Sequence, residues 1–104
     1  MQRPPFPFRN FGSRLDQFVE RAKRTARHHD VLVEMTHQIV DDVHSVILEQ
    51  LGSCPPECWT PLTQALDAAS IGSVPRVVNR IEEALLHAER LWGKRRNIAD
   101  PFAP

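Results

Sequence analysis

Apolar residues recur with a helical period from Ser13 to Leu51, and no Gly or Pro interrupts this stretch. With Leu15 at position a of a heptad, positions a, d and e collect the following apolar residues: Leu15, Phe18, Val19, Ala22, Ala26, Leu32, Val33, Ile39, Val40, Val43, Val46, Ile47 and Leu51. Such a wide stripe is typical of a bundle helix rather than of a two-stranded coiled coil. The pattern predicts a single helix about 55 Å long, whose stripe other elements must cover.

Two further helices are predicted in the second half of the chain. Gly52 is placed to end the first helix, and Thr60 followed by Pro61 is a typical N-cap and first helical position. Gly72 ends this second helix, and a third helix with its own apolar stripe continues to about Arg95. The second and third helices together match the length of the first.

The predicted fold is therefore all-α: a long helical hairpin whose second arm is broken into two helices. Residues 1–12 form an extended N-terminal arm, 13–96 the helical hairpin domain and 97–104 a C-terminal tail. A long thin hairpin buries little of its own surface. We therefore expect two hairpins to combine into a dimeric four-helix-type bundle.

Charges are segregated along the predicted first helix, and this pattern favours an antiparallel homodimer. Residues 1–27 carry a net charge of +5, and residues 28–51 carry −5. Antiparallel pairing around Leu32 and Val33 would place each basic half beside the partner's acidic half, and would set His29 opposite Thr36 as polar residues that fix the register. The predicted dimer interface consists of Leu15, Phe18, Ala22, His29, Leu32, Val33, Thr36, Ile39, Val40 and Val43.

The basic residues also allow a second interpretation. In the predicted hairpin, the cations from both ends of the domain would form one basic pole. Its members would be Arg14, Arg21, Lys23, Arg24, Arg27, Lys94, Arg95 and Arg96. Such a pole would suit nucleic acid or an acidic protein. A simply solvated face is the third interpretation of the same charges.

One helical face carries residue types that could bind a metal ion. Glu34, His37, Asp41 and His44 are spaced along it, and Glu-x-x-His on a bundle helix is typical of di-iron carboxylate sites. In the heptad, however, these residues lie opposite the apolar stripe, whereas ligands in bundle sites point inward. Surface pairs are therefore preferred, and no metal or other cofactor is predicted.

The cysteines Cys54 and Cys58 enclose Pro55-Pro56-Glu57 in the predicted turn. A zinc site needs four ligands, and no further His or Cys flanks this pair. Reduced structural thiols are preferred over a small-loop disulfide, and a metal or redox role comes last.

No motif for nucleophilic catalysis, phosphate binding or dinucleotide binding is present. No apolar run is long enough for a membrane span, and we expect no signal peptide because residues 1–11 lack an apolar h-region. We therefore predict a cytoplasmic, non-enzymatic helical protein–protein interaction module, which acts as a homodimer in the role of scaffold, adaptor or assembly factor. Another protein is the expected further partner. The alternatives are a nucleic-acid-associated accessory factor that uses the basic pole, and a metal-binding helical bundle.

Overall fold

The computed structural model describes Phe8, residues 11–25 and residues 29–99, and for residues 95–99 it describes the backbone. These residues form four α-helices: α1 Phe11–Arg24, α2 His29–Leu51, α3 Pro56–Ser70 and α4 Val74–Ala99. No strand occurs within these described ranges. The prediction of an all-α fold is confirmed at this level.

The first arm is not the single helix that the apolar period predicted. At the end of α1, the backbone N–H of Thr25 donates to the carbonyl oxygens of Arg21 at 3.1 Å and Ala22 at 3.2 Å. The Thr25 hydroxyl donates to the Arg21 carbonyl at 3.0 Å as well. Threonine and serine side chains compete in this way with helix continuation. The predicted unbroken helix from Ser13 to Leu51 is therefore wrong, and two helices stand in its place.

Two contacts show that α1 folds back along α2. The Thr25 hydroxyl lies 3.9 Å from the sulfur of Met35 near the start of α2. At the other end of α1, Arg14 Nη1 lies 3.5 Å from Asp42 Oδ2, further along α2. The two helices therefore run antiparallel, and the arm that was expected to extend doubles back on the chain.

The other helices continue this up-and-down course. The rings of His44 on α2 and Trp59 on α3 are 4.9 Å apart, and the imidazole of His29 reaches Gly72 in the turn after α3. Helix α2 is thus antiparallel to α3, and the most extensive packing is between α3 and α4. Helix α1 contacts both α2 and α4.

The core is assembled from all four helices of one chain. Among its fully buried side chains are Val43 and Ile47 of α2, Leu62 of α3 and Ile81 of α4. Helix α1 adds Phe18, which is 5% exposed. Burying a side chain of this size stabilises the fold by about 1.5–3 kcal/mol. The apolar stripe that was expected to need a second copy is largely covered within the chain.

Helix α3 begins one turn earlier than predicted. Its first residue is Pro56, and the carbonyl oxygen of Pro55 accepts the N–H groups of Cys58 at 3.0 Å and Trp59 at 2.9 Å. Thr60 is therefore not an N-cap, and Pro61 lies buried inside the helix. Proline suits the first turn of a helix because the N–H that it lacks has no partner there. Pro56 and Pro61 were therefore both candidate first residues, and α3 begins at the earlier one.

The turn between α3 and α4 depends on a glycine, as predicted. Gly72 has a φ of 77°, and its N–H donates to the Ala69 carbonyl at 3.0 Å while the Ser73 N–H donates to the Ala68 carbonyl at 2.9 Å. These bonds occupy carbonyls that the end of α3 would otherwise leave free. The positive φ is the conformation that glycine adopts without steric cost.

We expect Gly72→Ala to lower the free energy of unfolding by about 1–2 kcal/mol. The cost has two parts: the left-handed backbone, and a Cβ that would meet the His29 imidazole. Adding His29→Ala should remove the second part only. Gly93→Ala is the matched control, because it lies within α4 with open space around the new Cβ and should stabilise the helix by about 0.5–1 kcal/mol. Urea unfolding of the unmodified protein, the two single variants and the double variant measures the change in the free energy of unfolding. An unchanged midpoint for Gly72→Ala would contradict this account.

Candidate functional site

Most residues predicted for the dimer interface lie inside the chain's own core. Eight of the ten are buried. His29 is exposed, and Val33 is partly buried. The buried eight are Leu15, Phe18, Ala22, Leu32, Thr36, Ile39, Val40 and Val43. The Thr36 hydroxyl donates to the Leu32 carbonyl at 2.7 Å, so its hydrogen bond is made within α2. On α2, the face that was expected to meet a partner copy is occupied by α1, α3 and α4, and Leu15, Phe18 and Ala22 of α1 belong to the same core.

The predicted basic pole is not assembled as one cluster in the part of the chain whose side chains are described. Arg21, Lys23 and Arg24 belong to the last turn of α1, beside the start of α2. Helix α4 starts near that same end and runs away from it, so Lys94 lies toward the opposite end. Arg14 pairs with Asp42 and stacks over the ring of Phe11 at 4.9 Å. Arg27 lies outside the described residues, as do the side chains of Arg95 and Arg96.

The candidate metal ligands on α2 do not converge. Glu34, His37 and Asp41 are exposed, and His44 is partly buried against Trp59. No group of three His, Cys, Asp or Glu side chains that could hold a metal ion occurs among the residues described. On α4, Glu83 forms an ion pair with Arg80 at 2.9 Å.

Cys54 and Cys58 are free thiols beside the start of α3. Cys58 is fully buried, whereas Cys54 is partly exposed. Burial raises the pKa of the Cys58 thiol from its ordinary value of 9.0 to about 11, with smaller contributions from Cys54 and Glu57. Burial raises the pKa of Cys54 as well. Both shifts favour the unreactive thiol over the nucleophilic thiolate.

We expect iodoacetamide to modify Cys54 well before Cys58 in the folded protein. A pKa of about 11 instead of 9.0 reduces the thiolate fraction of Cys58 at neutral pH by about 100-fold. Its alkylation rate should rise about tenfold per pH unit until the pH passes its pKa. Mass spectrometry of timed samples measures both rates, and urea-unfolded protein is the control. Equal rates for folded and unfolded Cys58 at neutral pH would contradict the burial of this thiol.

A groove between α1 and α4 is a candidate binding site on the described surface. Phe8, Gly12 and Leu15 line one side, and α4 supplies the other. The groove volume is about 420 Å³. A Cβ built on Gly12 meets no atom of the described residues within 4 Å, so among these residues the groove is open at this position.

The α4 side of this groove combines apolar and acidic residues. Leu85 is partly buried, and Leu86 is 62% exposed. Glu82 and Glu89 line the same groove and are one heptad apart, which is about 10 Å along a helix. Three ion pairs form among the described residues: Arg14–Asp42, Lys23–Glu20 and Arg80–Glu83. Neither groove glutamate takes part in them.

Sequence reasoning missed this groove. Leu86 is 62% exposed, and it lies outside the apolar stripe that the sequence predicts for the last helix, whereas Leu85 lies within that stripe. The available signal was an apolar residue outside the stripe with acidic residues on either side. These residues could not be interpreted as part of a groove while α1 was expected to extend away from α4, because α1 forms the second wall of the groove.

A second apolar area lies beside the turn between α2 and α3. Trp59 is 42% exposed and Leu48 is 41% exposed, and the ring of His44 packs on the indole.

No protein-family model, curated protein or solved structure shows a significant match to this chain. Within the described ranges, none of the helices has the length and apolar character needed to cross a membrane.

Proposed function

We propose that this chain is a non-enzymatic helical module that acts by protein–protein contact, as a scaffold, adaptor or assembly factor in the cytoplasm. The observation that supports this proposal is the exposed Leu86 in the groove between α1 and α4. Leu86 is not isolated there, because Phe8, Leu15 and Leu85 line the same groove, and a contiguous apolar surface rimmed by polar residues is typical of a site that binds another protein. The groove walls come from two helices, so the surface exists only in the folded chain.

The homodimer remains part of the proposal, but we propose that it forms through a different surface from the one predicted from the sequence. Antiparallel pairing around Leu32 and Val33 would require the eight buried interface residues to leave their own core. Surfaces that already expose large apolar side chains need no such rearrangement. Among the described residues they include the α1–α4 groove and the area around Trp59 and Leu48, in addition to Ile71 in the turn between α3 and α4.

The nucleic-acid alternative has one supporting observation. The exposed Arg21, Lys23 and Arg24 lie together in the last turn of α1. Three cations supply only a small electrostatic contribution to binding a phosphate backbone, and Lys23 also pairs with Glu20 at 3.5 Å. Protein binding is therefore the preferred function. Nothing in the described geometry favours the metal-binding alternative.

Purification of the tagged full-length chain from its native cells tests the proposal. We expect a partner protein, or a second copy, to remain bound to the unmodified chain and to be lost from Leu86→Lys. Ile71→Lys is the matched control, because Ile71 is 63% exposed but lies in the turn between α3 and α4. Circular dichroism confirms that both variants stay folded. A chain that sediments as a monomer and retains no protein, or retains it equally in both variants, contradicts the proposal.

A further inference from the structure

We infer that the α1–α4 groove binds an amphipathic helix of a partner protein, one whose apolar ridge is flanked by Lys or Arg residues. This inference rests on the proposed function and specifies the chemistry of the partner. Helix-in-groove binding is a recurring mode of protein recognition, in which apolar anchors on one face of a helix enter a hydrophobic groove.

The dimensions and lining of the groove fit such a helix. A groove of about 420 Å³ can take the apolar anchor side chains from one face of a helix, which is how helices bind in grooves. Leu85 and Leu86 supply an apolar edge from α4, and Phe8 and Leu15 supply the facing edge. The missing side chain of Gly12 allows the backbone of a bound helix to come close.

The charges select a basic partner. Glu82 and Glu89 stand on the groove side of α4, with Leu85 and Leu86 between them in sequence. Cations that are one heptad apart on a partner helix would match this spacing of about 10 Å. The same carboxylates would repel the phosphates of a nucleic acid, so the groove does not suit the polyanion alternative.

A second copy of this chain does not match the groove equally well. Both α1 and α4 carry more cations than carboxylates. The exposed apolar residue of α4, Leu86, lies between Glu82 and Glu89 of the groove itself, so a copy docking through α4 would bring carboxylates to carboxylates. The apolar residues of α1 are used inside its own core: Phe11, Leu15, Phe18 and Ala22. A copy that kept its fold could offer the cations of α1 but not an apolar ridge beside them. The favoured occupant is therefore a different protein.

Fluorescence anisotropy with two designed peptides tests the inference on the full-length chain. The probe is a labelled amphipathic peptide of about 15 residues with a leucine ridge, flanked by lysines one heptad apart. The second peptide replaces those lysines with glutamates. We expect the lysine peptide to bind at least about tenfold more tightly than the glutamate peptide, and to weaken as salt rises from about 0.05 to about 0.3 M.

Charge reversal of the groove provides the decisive variant. Glu82→Lys with Glu89→Lys should reverse the preference, so that the glutamate peptide binds more tightly. Glu34→Lys with Glu49→Lys is the matched control, because both residues are exposed on α2 and the net charge changes equally. This control should keep the original preference.

Three outcomes would overturn the inference. The first is equal binding of both peptides, or a preference that the groove variant leaves unchanged. The second is binding that occurs only after residues 1–7 are deleted, which would make the chain's own arm the occupant. The third is a dimer of the unmodified chain that Glu82→Lys with Glu89→Lys dissociates, which would make the occupant a second copy. If the native partner still depends on Leu86 while the peptides fail, the proposed function stands without this partner chemistry.

Discussion

Val43→Glu is expected to unfold the protein, whereas Val33→Glu should leave it folded and only moderately less stable. Val43 is fully buried in the core of α2, and a carboxylate there would have neither water nor a partner cation. We expect a loss of at least about 4 kcal/mol, a large share of the about 5–15 kcal/mol that stabilises a typical domain. Val33 is partly buried, so a glutamate there can reach water at a cost of about 1–2 kcal/mol.

Far-ultraviolet circular dichroism and urea unfolding of the two variants measure this contrast. The antiparallel dimer that the sequence favours predicts another outcome, because Val33 lies at its centre and Val33→Glu should dissociate it. Sedimentation of the unmodified chain and of Val33→Glu distinguishes the antiparallel dimer from a core that is covered within one chain. A folded dimer that becomes a folded monomer on Val33→Glu would support the pairing predicted from sequence over the covered core described here.

The sequence predicted well those features that depend on local chemistry. Gly52 and Gly72 were expected to end helices, and both have a positive φ, of 76° and 77°. The apolar stripe of the last helix was expected to face the core, and Val77, Ile81 and Ala88 are indeed fully buried. In each case the signal lies within a few residues of the feature that it determines.

The prediction was wrong where tertiary packing determines the outcome. The period of apolar residues shows which side of a helix is buried, but not which element covers it. Reversal after Thr25 lets Phe11 and Phe18 reach the core, so folding back covers the stripe that a straight helix would have left for a second copy. The start of α3 was ambiguous for another reason, because Pro56 and Pro61 are both acceptable first helical residues.

The candidate site could not be predicted for the same reason. Its acidic and apolar residues on α4 were visible as Glu82, Leu86 and Glu89, but a surface helix often carries such residues without a binding role. Only the return of α1 adds Phe8 and Leu15 and turns that face into a groove. The site thus depends on the packing of α1 back along the chain, which the period of apolar residues does not predict.

Phe18→Ala is expected to lower the free energy of unfolding by about 3–5 kcal/mol. Phe18 is 5% exposed, and it lies on the face of α1 that joins the shared core. Gln17→Ala is the matched control on the same helix: Gln17 is exposed, and its loss should change stability by no more than about 0.5 kcal/mol. Urea unfolding followed by circular dichroism gives both values.

The dependence on protein concentration decides where α1 packs. If Phe18 is buried within its own chain, the unfolding midpoints of the unmodified protein and of Phe18→Ala should stay constant over a range of about 100-fold in concentration. If Phe18 instead packs against a second copy, the midpoint should rise with concentration, because association stabilises the folded state by mass action. A concentration-dependent midpoint that Phe18→Ala lowers would place α1 in a dimer interface, and would remove the wall of the groove that α1 provides within the chain.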